Sequence, residues 1–296
     1  VVSGSTIEIT ADQTTKTDFD FSAAGGGDLT VIAGDDNGTS AAVGTINLTA
    51  FNAAAAAATT VGTVTIEASI ANVDATGVTL GAKQNLVITG DEDVTLSDIG
   101  GAETVTADSV NASGSSGIIT INVEDTVANT ADVDSVITGS GNDVIEIDAG
   151  TAVVTVSSND GNDAITITAV GDTSTFDGGK GNDTFNADDA SQVVMIGGDG
   201  ADNFATQLNL GGTIIGGDGS DTITIDGAGA RTMASTFAFS GIEELDITAA
   251  NAAVSITGAQ LAQNATLIID GDATADVFNV NTASTATAAK SADLSN

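Results

Sequence analysis

The sequence predicts an all-β fold, specifically a parallel β-solenoid or β-roll with little helix. The first observation is a glycine- and aspartate-rich phrase that occurs five times between Gly139 and Ile225. The last aspartates of successive copies are 20, 20, 19 and 19 residues apart. A fixed period of this size is typical of stacked coils. The second observation is that short runs of alternating apolar and polar residues recur along the chain, whereas no stretch has the period of an amphipathic helix.

Each period of the repeat is predicted to contain two strands and two turns. One strand follows the aspartate, as at Val144–Ile147, and the other precedes the next glycines, as at Val153–Val156. Parallel stacking of such coils satisfies the backbone groups between neighbours and brings equivalent side chains into line. One inward ladder is therefore predicted, with one apolar residue from each coil: Ile145, Ile165, Phe185, Phe204 and Ile223.

The repeat divides the chain into three predicted regions. Residues 1–135 form a β-rich, solenoid-like N-terminal region, residues 136–226 form the β-roll that carries the repeat, and residues 227–296 continue or cap the solenoid. A second phrase supports this continuation. A glycine- and glutamate-containing segment followed by an alternating strand occurs at 98–107 and again at 239–249, on the two sides of the repeat.

The composition excludes several kinds of partner. The 296 residues include 41 acids and five bases, which gives a formal net charge of -36, but 41% apolar residues are too many for a disordered acidic tail. Nucleic acid is not expected as a partner, because no basic patch is present to meet its phosphates. Direct membrane insertion is not expected either, because no run of about 18 apolar residues occurs.

An enzyme is not expected. The chain has no histidine and no cysteine, so it can form neither the H-E-x-x-H motif nor a Ser-His-Asp triad, and G-x-S-x-G is absent. Paired carboxylates could serve a glycosidase, but sugar-binding sites commonly use Trp or Tyr, and the chain has neither. Zinc and copper are not expected, because their imidazole and thiolate ligands are missing.

The repeated turn instead carries the chemistry expected of a calcium site. Calcium takes about six to eight oxygen ligands. Glycines allow conformations that direct carbonyl oxygens inward, the final aspartate adds a carboxylate, and the loop of the next coil, about 4.8 Å away, supplies further oxygens. The predicted metal-binding residues are Gly139, Gly141, Asp143, Asp160, Gly161, Asp163, Gly178, Gly179, Gly181, Asp183, Gly197, Gly198, Gly200, Asp202, Gly216, Gly217, Gly219 and Asp221.

The spacing of the phrase predicts the number of ions. The phrase occurs once per 19 or 20 residues, so one row of Ca²⁺ ions is expected along one edge of the solenoid. Five loops leave four gaps between them, so about four ions are expected, with any further ion at an end or elsewhere. A secreted chain without disulfides needs another means of stabilisation, and calcium would supply it.

The phrase resembles the G-G-x-G-x-D-x-U-x repeat of RTX calcium β-rolls. The wider arrangement adds Phe239-Ser-Gly-Ile-Glu-Glu-Leu-Asp-Ile-Thr-Ala and then Ala275-Asp-Val-Phe-Asn-Val, in a chain rich in Ala, Thr, Gly and Val. Over residues 136–285 it resembles the calcium-dependent lattice domain of Caulobacter-type alphaproteobacterial surface-layer proteins. The resemblance implies type I secretion, a location at the cell surface and calcium-driven self-assembly. A cell-surface polysaccharide would be a further partner, bound through regions outside this sequence.

Two functions remain open from the sequence. The first is a structural protein that assembles with copies of itself, in a calcium-dependent manner, into a surface layer or a related extracellular filament. The alternative is a calcium-stabilised adhesin or carbohydrate-binding segment of a larger secreted RTX protein. Both use calcium and β-rich coils, but a lattice protein polymerises with calcium whereas an adhesin stays monomeric.

Overall fold

The structure is a computed structural model that describes fifteen stretches of the chain. These are residues 5–9, 17–20, 28–33, 46–52, 62–76, 84–99, 107–124, 133–187, 192–206, 211–225, 230–232, 237–248, 253–264, 266–271 and 277–281. The predicted segment at 98–107 and the first two residues of Ala275-Asp-Val-Phe-Asn-Val lie largely outside these stretches.

The described residues form 26 strands and one short helix. The strands of the N-terminal half are β1 (Ser5–Ile9), β2 (Thr17–Asp20), β3 (Leu29–Ala33), β4 (Ile46–Asn52), β5 (Gly62–Ala68), β6 (Val73–Thr76), β7 (Gln84–Gly90), β8 (Val94–Ile99), β9 (Ala107–Ser115), β10 (Ile119–Glu124), β11 (Ser135–Ile137), β12 (Val144–Asp148) and β13 (Thr155–Ser157). The remaining elements are β14 (Ala164–Ala169), β15 (Thr175–Lys180), β16 (Thr184–Ala187), β17 (Val194–Gly200), β18 (Asn203–Thr206), β19 (Thr213–Gly219), β20 (Thr222–Ile225), β21 (Ala230–Thr232), β22 (Ala238–Ser240), β23 (Glu244–Ile247), β24 (Ala253–Thr257), α1 (Gly258–Ala262), β25 (Ile268–Gly271) and β26 (Val277–Asn281).

Successive strands alternate between two long parallel sheets. Among the described strands, the first sheet has the order β1-β3-β5-β7-β9-β11-β13-β15-β17-β19-β22, and the second has the order β2-β4-β6-β8-β10-β12-β14-β16-β18-β20-β23-β25. Strands β21, β24 and β26 make a third, smaller parallel sheet. One strand from each long sheet makes one coil, so the predicted all-β parallel solenoid is confirmed.

Strand pairing continues across both boundaries that divide the three predicted regions. Near residue 135, β9 pairs with β11 in the first sheet and β10 pairs with β12 in the second. Near residue 226, β19 pairs with β22 and β20 pairs with β23. The coils with the repeated turns are therefore stacked directly between coils that lack the full phrase.

The core consists of apolar ladders, each made of one residue per coil. The predicted ladder is confirmed, since its five members are buried and paired in register. Within it the rings of Phe185 and Phe204 stack with centroids 4.9 Å apart and 11° between their planes. The facing ladder of the first sheet, also buried, is Leu29, Val64, Leu86, Val110, Val136, Val156, Phe176, Met195, Ile214 and Phe239.

The first sheet ends against the helix. Helix α1 begins with a capping box. The Thr257 hydroxyl accepts from the backbone N–H of Gln260, and the Gln260 side-chain oxygen accepts from the backbone N–H of Thr257. Gln260 Nε2 donates to the Phe237 carbonyl at 2.7 Å, and Asn264 Nδ2 donates to the Phe239 carbonyl at 3.2 Å. Amide side chains thus take the place of a further strand beside β22.

We expect the stacked ladder to dominate stability in the repeat. Phe185→Ala should lower the free energy of unfolding by about 3–5 kcal/mol, because it removes a fully buried ring that its neighbours cannot replace. Equilibrium denaturation in urea measures the change. The control is Asn186→Ala on the exposed face of the same strand, which should change stability by about 0.5 kcal/mol or less. Equal losses in the two variants would contradict the assigned faces of β16.

Candidate metal centre: the row of repeated turns

The repeated turns connect the first sheet to the second, and their residues are aligned by the strand register. Each turn has six positions, and position six is the aspartate from which the 19- or 20-residue period was counted. The five turns are 138–143, 158–163, 178–183, 197–202 and 216–221. Because the coils are stacked in register, every position forms its own column along the solenoid.

The position-six aspartates are buried, and one carboxylate oxygen of each ties two coils together. Asp163 Oδ1 accepts from the backbone N–H of Asp143 at 2.7 Å. The same bond recurs at each later step, from Asp163 to Asp183, from Asp183 to Asp202 and from Asp202 to Asp221, at 2.8–2.9 Å. A charge-assisted hydrogen bond of this kind holds the turns in register without any ion.

The second carboxylate oxygen is not satisfied by the protein in four of the five turns. Asp163, Asp183, Asp202 and Asp221 are at most 2% exposed, and the Oδ2 atom of each is buried with no hydrogen-bond partner. Asp143 differs, because its Oδ2 accepts from the Gly139 N–H at 3.2 Å. An unpaired buried charge is costly, so each of the four oxygens requires a proton or a cation.

Backbone carbonyls lie beside these unsatisfied oxygens. A β-carbon added to Gly178, in position one, would overlap Asp183 Oδ2 and would also meet the Gly197 carbonyl oxygen of the next coil. The arrangement recurs one coil later, with Gly197 between Asp202 Oδ2 and the Gly216 carbonyl. It recurs again with Gly216 between Asp221 Oδ2 and the Gly241 carbonyl. At each point two acceptor oxygens come close together at a residue that has no side chain.

Burial raises the pKa of every position-six carboxyl. Desolvation is the largest cause, and it brings the pKa of Asp163 to about 7 and the pKa of Asp183 and of Asp202 to about 6. Burial also raises the pKa of Asp143 and of Asp221. Hydrogen bonds from backbone N–H groups oppose the shift, and repulsion from neighbouring acids of the row adds to it for Asp163, Asp183 and Asp202.

The glycines in positions two and four are required by coil stacking itself. Gly181 has φ of 121°, and a β-carbon there would overlap the Gly161 carbonyl of the preceding coil. The same close approach applies to the other predicted glycines of these two columns: Gly139, Gly141, Gly161, Gly179, Gly198, Gly200, Gly217 and Gly219. Their presence therefore follows from backbone packing, whether or not a metal binds.

Position three lies on the outside of the turn. Asp160, a predicted metal-binding residue, is exposed there and forms an ion pair with Lys180, with Nζ and Oδ1 2.9 Å apart. Asp199 and Asp218 occupy the same column and are also exposed. The structure thus separates the acids of the repeat into an outer, solvated column and the buried column of position six.

Position five adds a second set of bonds between coils, in the opposite direction. Asn142 Oδ1 accepts from the Asn162 N–H at 2.8 Å, and Asn162 Oδ1 accepts from the Asn182 N–H at 2.7 Å. Asn182 Oδ1 then accepts from the Ala201 N–H at 2.8 Å. The Gly-Asn-Asp ending of three of the turns therefore has a structural reason, since its two polar side chains bond to opposite neighbours.

Sequence reasoning missed three residues of these columns, Glu243, Thr138 and Ser158, and one residue beside them, Asn264. Glu243 Oε2 accepts from the Asp221 N–H at 2.9 Å and so continues the role of position six. Asn264 Oδ1 makes a similar bond outside that column, because it accepts from the N–H of Ile242, one residue before Glu243, at 3.0 Å. Thr138 and Ser158 occupy position one, where the later turns have glycine. An alignment of the phrases that began one residue earlier would have revealed these two hydroxyls.

The residues of the row fit a hard, oxygen-binding cation. At Gly178, Gly197 and Gly216 the turn offers one anionic oxygen and the next coil offers a backbone carbonyl, and calcium accepts oxygens of both kinds. Within the described ranges, no three Asp, Glu, His or Cys side chains converge in a group that could hold a metal ion. A cation in the row would therefore depend mainly on carbonyl oxygens, with a single carboxylate per turn.

Comparisons of the chain with protein-family models, with curated proteins and with solved structures give no match. Among the described residues, the helical segment is too short to cross a bilayer.

We expect the stability of the metal-free protein to fall as the pH rises from about 4 to about 7. The pKa of Asp163 in the folded chain, about 7, lies above its ordinary value of 3.8. Its contribution is therefore present below the unfolded pKa and is lost as the pH rises through the folded pKa. Thermal melting in a chelator, measured across this range, gives the profile.

The matched variant for this measurement is Asp163→Asn. Asparagine keeps the oxygen that accepts the Asp143 N–H, as Asn264 does in its own coil, but it does not titrate. The variant should show a flatter dependence on pH than the wild type. A profile of unchanged slope would mean that the exposed acids, rather than the buried carboxyl, cause the loss.

Proposed function

We propose that the chain is a structural protein that binds calcium in the repeated turns and assembles with copies of itself outside the cell, as a surface layer or a related filament. The observation that carries the proposal is the row of four buried Oδ2 atoms with no partner, three of which lie beside a carbonyl oxygen of the next coil. The proposed role is not enzymatic, because the chain lacks the side chains of the common hydrolytic motifs.

Calcium is the cation that these donors favour. Zinc and copper require nitrogen or sulfur ligands, and the chain has neither histidine nor cysteine. Magnesium demands a small octahedral shell and gives up its water reluctantly, whereas calcium accepts irregular sets of carbonyl and carboxylate oxygens. An ion that takes ligands from two adjacent coils can bind only when the coils are stacked, so calcium binding and solenoid formation are coupled.

The size of this coupling supports a location outside the cell. If each site binds with Kd of about 0.1 mM, then about 10 mM free calcium stabilises the folded chain by roughly 2.7 kcal/mol per site. A few such sites give about 10 kcal/mol, which is as large as the whole stability of a typical domain. In a cytosol with far less calcium this contribution disappears, and the 41 acids repel one another without compensation.

The shape of the solenoid supports self-association. A solenoid of two parallel sheets has strand edges at its ends, and such edges pair readily with other strands. Among the described strands, β25 is the last of the second sheet, and its Ile268 is 58% exposed. Calcium bound between acidic surfaces would also reduce the repulsion between copies that each carry a formal charge of -36.

We expect calcium to raise the melting temperature, and Asp202→Asn to reduce that rise. The variant keeps the oxygen that accepts the Asp183 N–H but removes the charge that a cation needs. Asp199→Asn is the control, because it removes the same charge from the exposed position three of the same turn. Differential scanning calorimetry with calcium, with magnesium and with a chelator measures the rise. An equal rise in melting temperature for both variants and the wild type would show that calcium does not bind at the buried row.

The assembly is tested separately by electron microscopy of the purified protein. With millimolar calcium, ordered sheets or filaments should form, and a chelator should dissolve them because the coils lose their shared ions. Light scattering under the same conditions gives the time course. A chain that binds calcium but stays monomeric at these concentrations would contradict self-assembly and would favour the adhesin.

A further inference from the structure

The five turns are not equivalent in position one, although they share the buried aspartate. Thr138 and Ser158 occupy this position in the first two turns, and both are fully buried. Gly178, Gly197 and Gly216 occupy it in the last three turns. The solenoid therefore contains two kinds of turn, one with a hydroxyl beside the buried carboxylate and one with no side chain there.

The two hydroxyls bond to the carbonyls that remain beside the carboxylates in the other turns. Ser158 Oγ donates to the Gly178 carbonyl at 2.8 Å, and it also lies 3.3 Å from the Asp177 carbonyl. Thr138 Oγ1 donates to the Ser158 carbonyl at 3.2 Å. Each accepting carbonyl belongs to position one of the following coil, as the Gly197, Gly216 and Gly241 carbonyls do in the later coils.

The hydroxyls also lie beside the carboxylates of their own turns. The Thr138 side chain contacts the Asp143 carboxyl, and the Ser158 side chain contacts the Asp163 carboxyl. Each hydroxyl has one proton, and Ser158 donates its proton to the Gly178 carbonyl, so Asp163 Oδ2 remains without a partner. A side chain in position one therefore fills the space between the carboxylate of one coil and the carbonyl of the next without neutralising the carboxylate. A cation can enter this space where position one is glycine, since a β-carbon added to Gly178 would meet both Asp183 Oδ2 and the Gly197 carbonyl oxygen.

We infer that divalent cations bind at only three of the five turns, 178–183, 197–202 and 216–221, and that the Thr138 and Ser158 side chains occupy the space of the cation in the other two. The inference rests on the proposed calcium binding and refines it. The inference predicts three bound ions between described coils, whereas the four gaps between the five turns predicted about four ions.

This division separates the β-roll into two parts with different requirements. The coils of β10, β12 and β14 are closed by side-chain hydrogen bonds, so they hold their register without an ion. The coils of β16, β18, β20 and β23 keep the aspartate bonds, but the space beside Asp183, Asp202 and Asp221 is open, so a cation bound there adds to their stability. The first part then provides a preformed edge on which the second part folds when calcium binds.

The first test is the number of calcium ions bound, measured by equilibrium dialysis and atomic emission on the full chain. Ser158→Gly should bind one more ion than the wild type, because it removes the hydroxyl and opens position one. Ser158→Ala should bind the same number as the wild type, because its β-carbon still fills the position. Circular dichroism with calcium present checks that each variant folds. An unchanged count in a folded Ser158→Gly protein would overturn the inference and leave calcium binding itself intact.

The second test needs no substitution. Amide hydrogen exchange of the wild type is compared with calcium and with a chelator. At a calcium concentration about 100 times Kd, exchange in β16, β18 and β20 should slow by about a hundredfold per site, whereas exchange in β10 and β12 should change little. Equal slowing in both groups of strands would overturn the inference. No slowing anywhere would instead refute the calcium binding on which it rests.

Discussion

The constraint on which the rest of the structure depends is the in-register stacking of parallel coils. With strands about 4.8 Å apart, each residue meets its own counterpart in the next coil, so every property of one coil is repeated along the solenoid. For apolar residues this repetition is favourable, as the stacked rings of Phe185 and Phe204 show. For the aspartates it creates a difficulty, because it places a column of like charges in the interior.

The turns resolve half of that difficulty with hydrogen bonds between coils. Each buried carboxylate uses Oδ1 to accept the N–H of the preceding coil, which is why the column keeps its register. The other oxygen accepts a backbone N–H at Asp143 and has no partner in the four later turns. One oxygen of each aspartate therefore joins the coils, whereas the other oxygen creates the need for a proton or a cation.

The C-terminal side of the repeat supports this separation of roles. The accepting oxygen comes from aspartate through the repeat, then from Glu243, and finally from the neutral amide of Asn264. At Asn264 the donor is the N–H of Ile242, one residue before the column, and a neutral oxygen is enough to accept it. The same amide donates to the Phe239 carbonyl at the end of the first sheet, which links the end of the column to the end of the sheet.

The sequence by itself determined the solenoid, the two strands per coil and the inward ladder, because period and alternation are local properties of the chain. It also identified the position-six aspartates and predicted that the turns offer oxygen ligands of the kind that calcium binds. It could not separate the two oxygens of each carboxylate, or the buried Asp202 from the exposed Asp199, since both lie in the same phrase. Only the tertiary structure decided those points, and with them the different roles of Ser158 and Gly178, because each depends on which atoms of the next coil lie opposite.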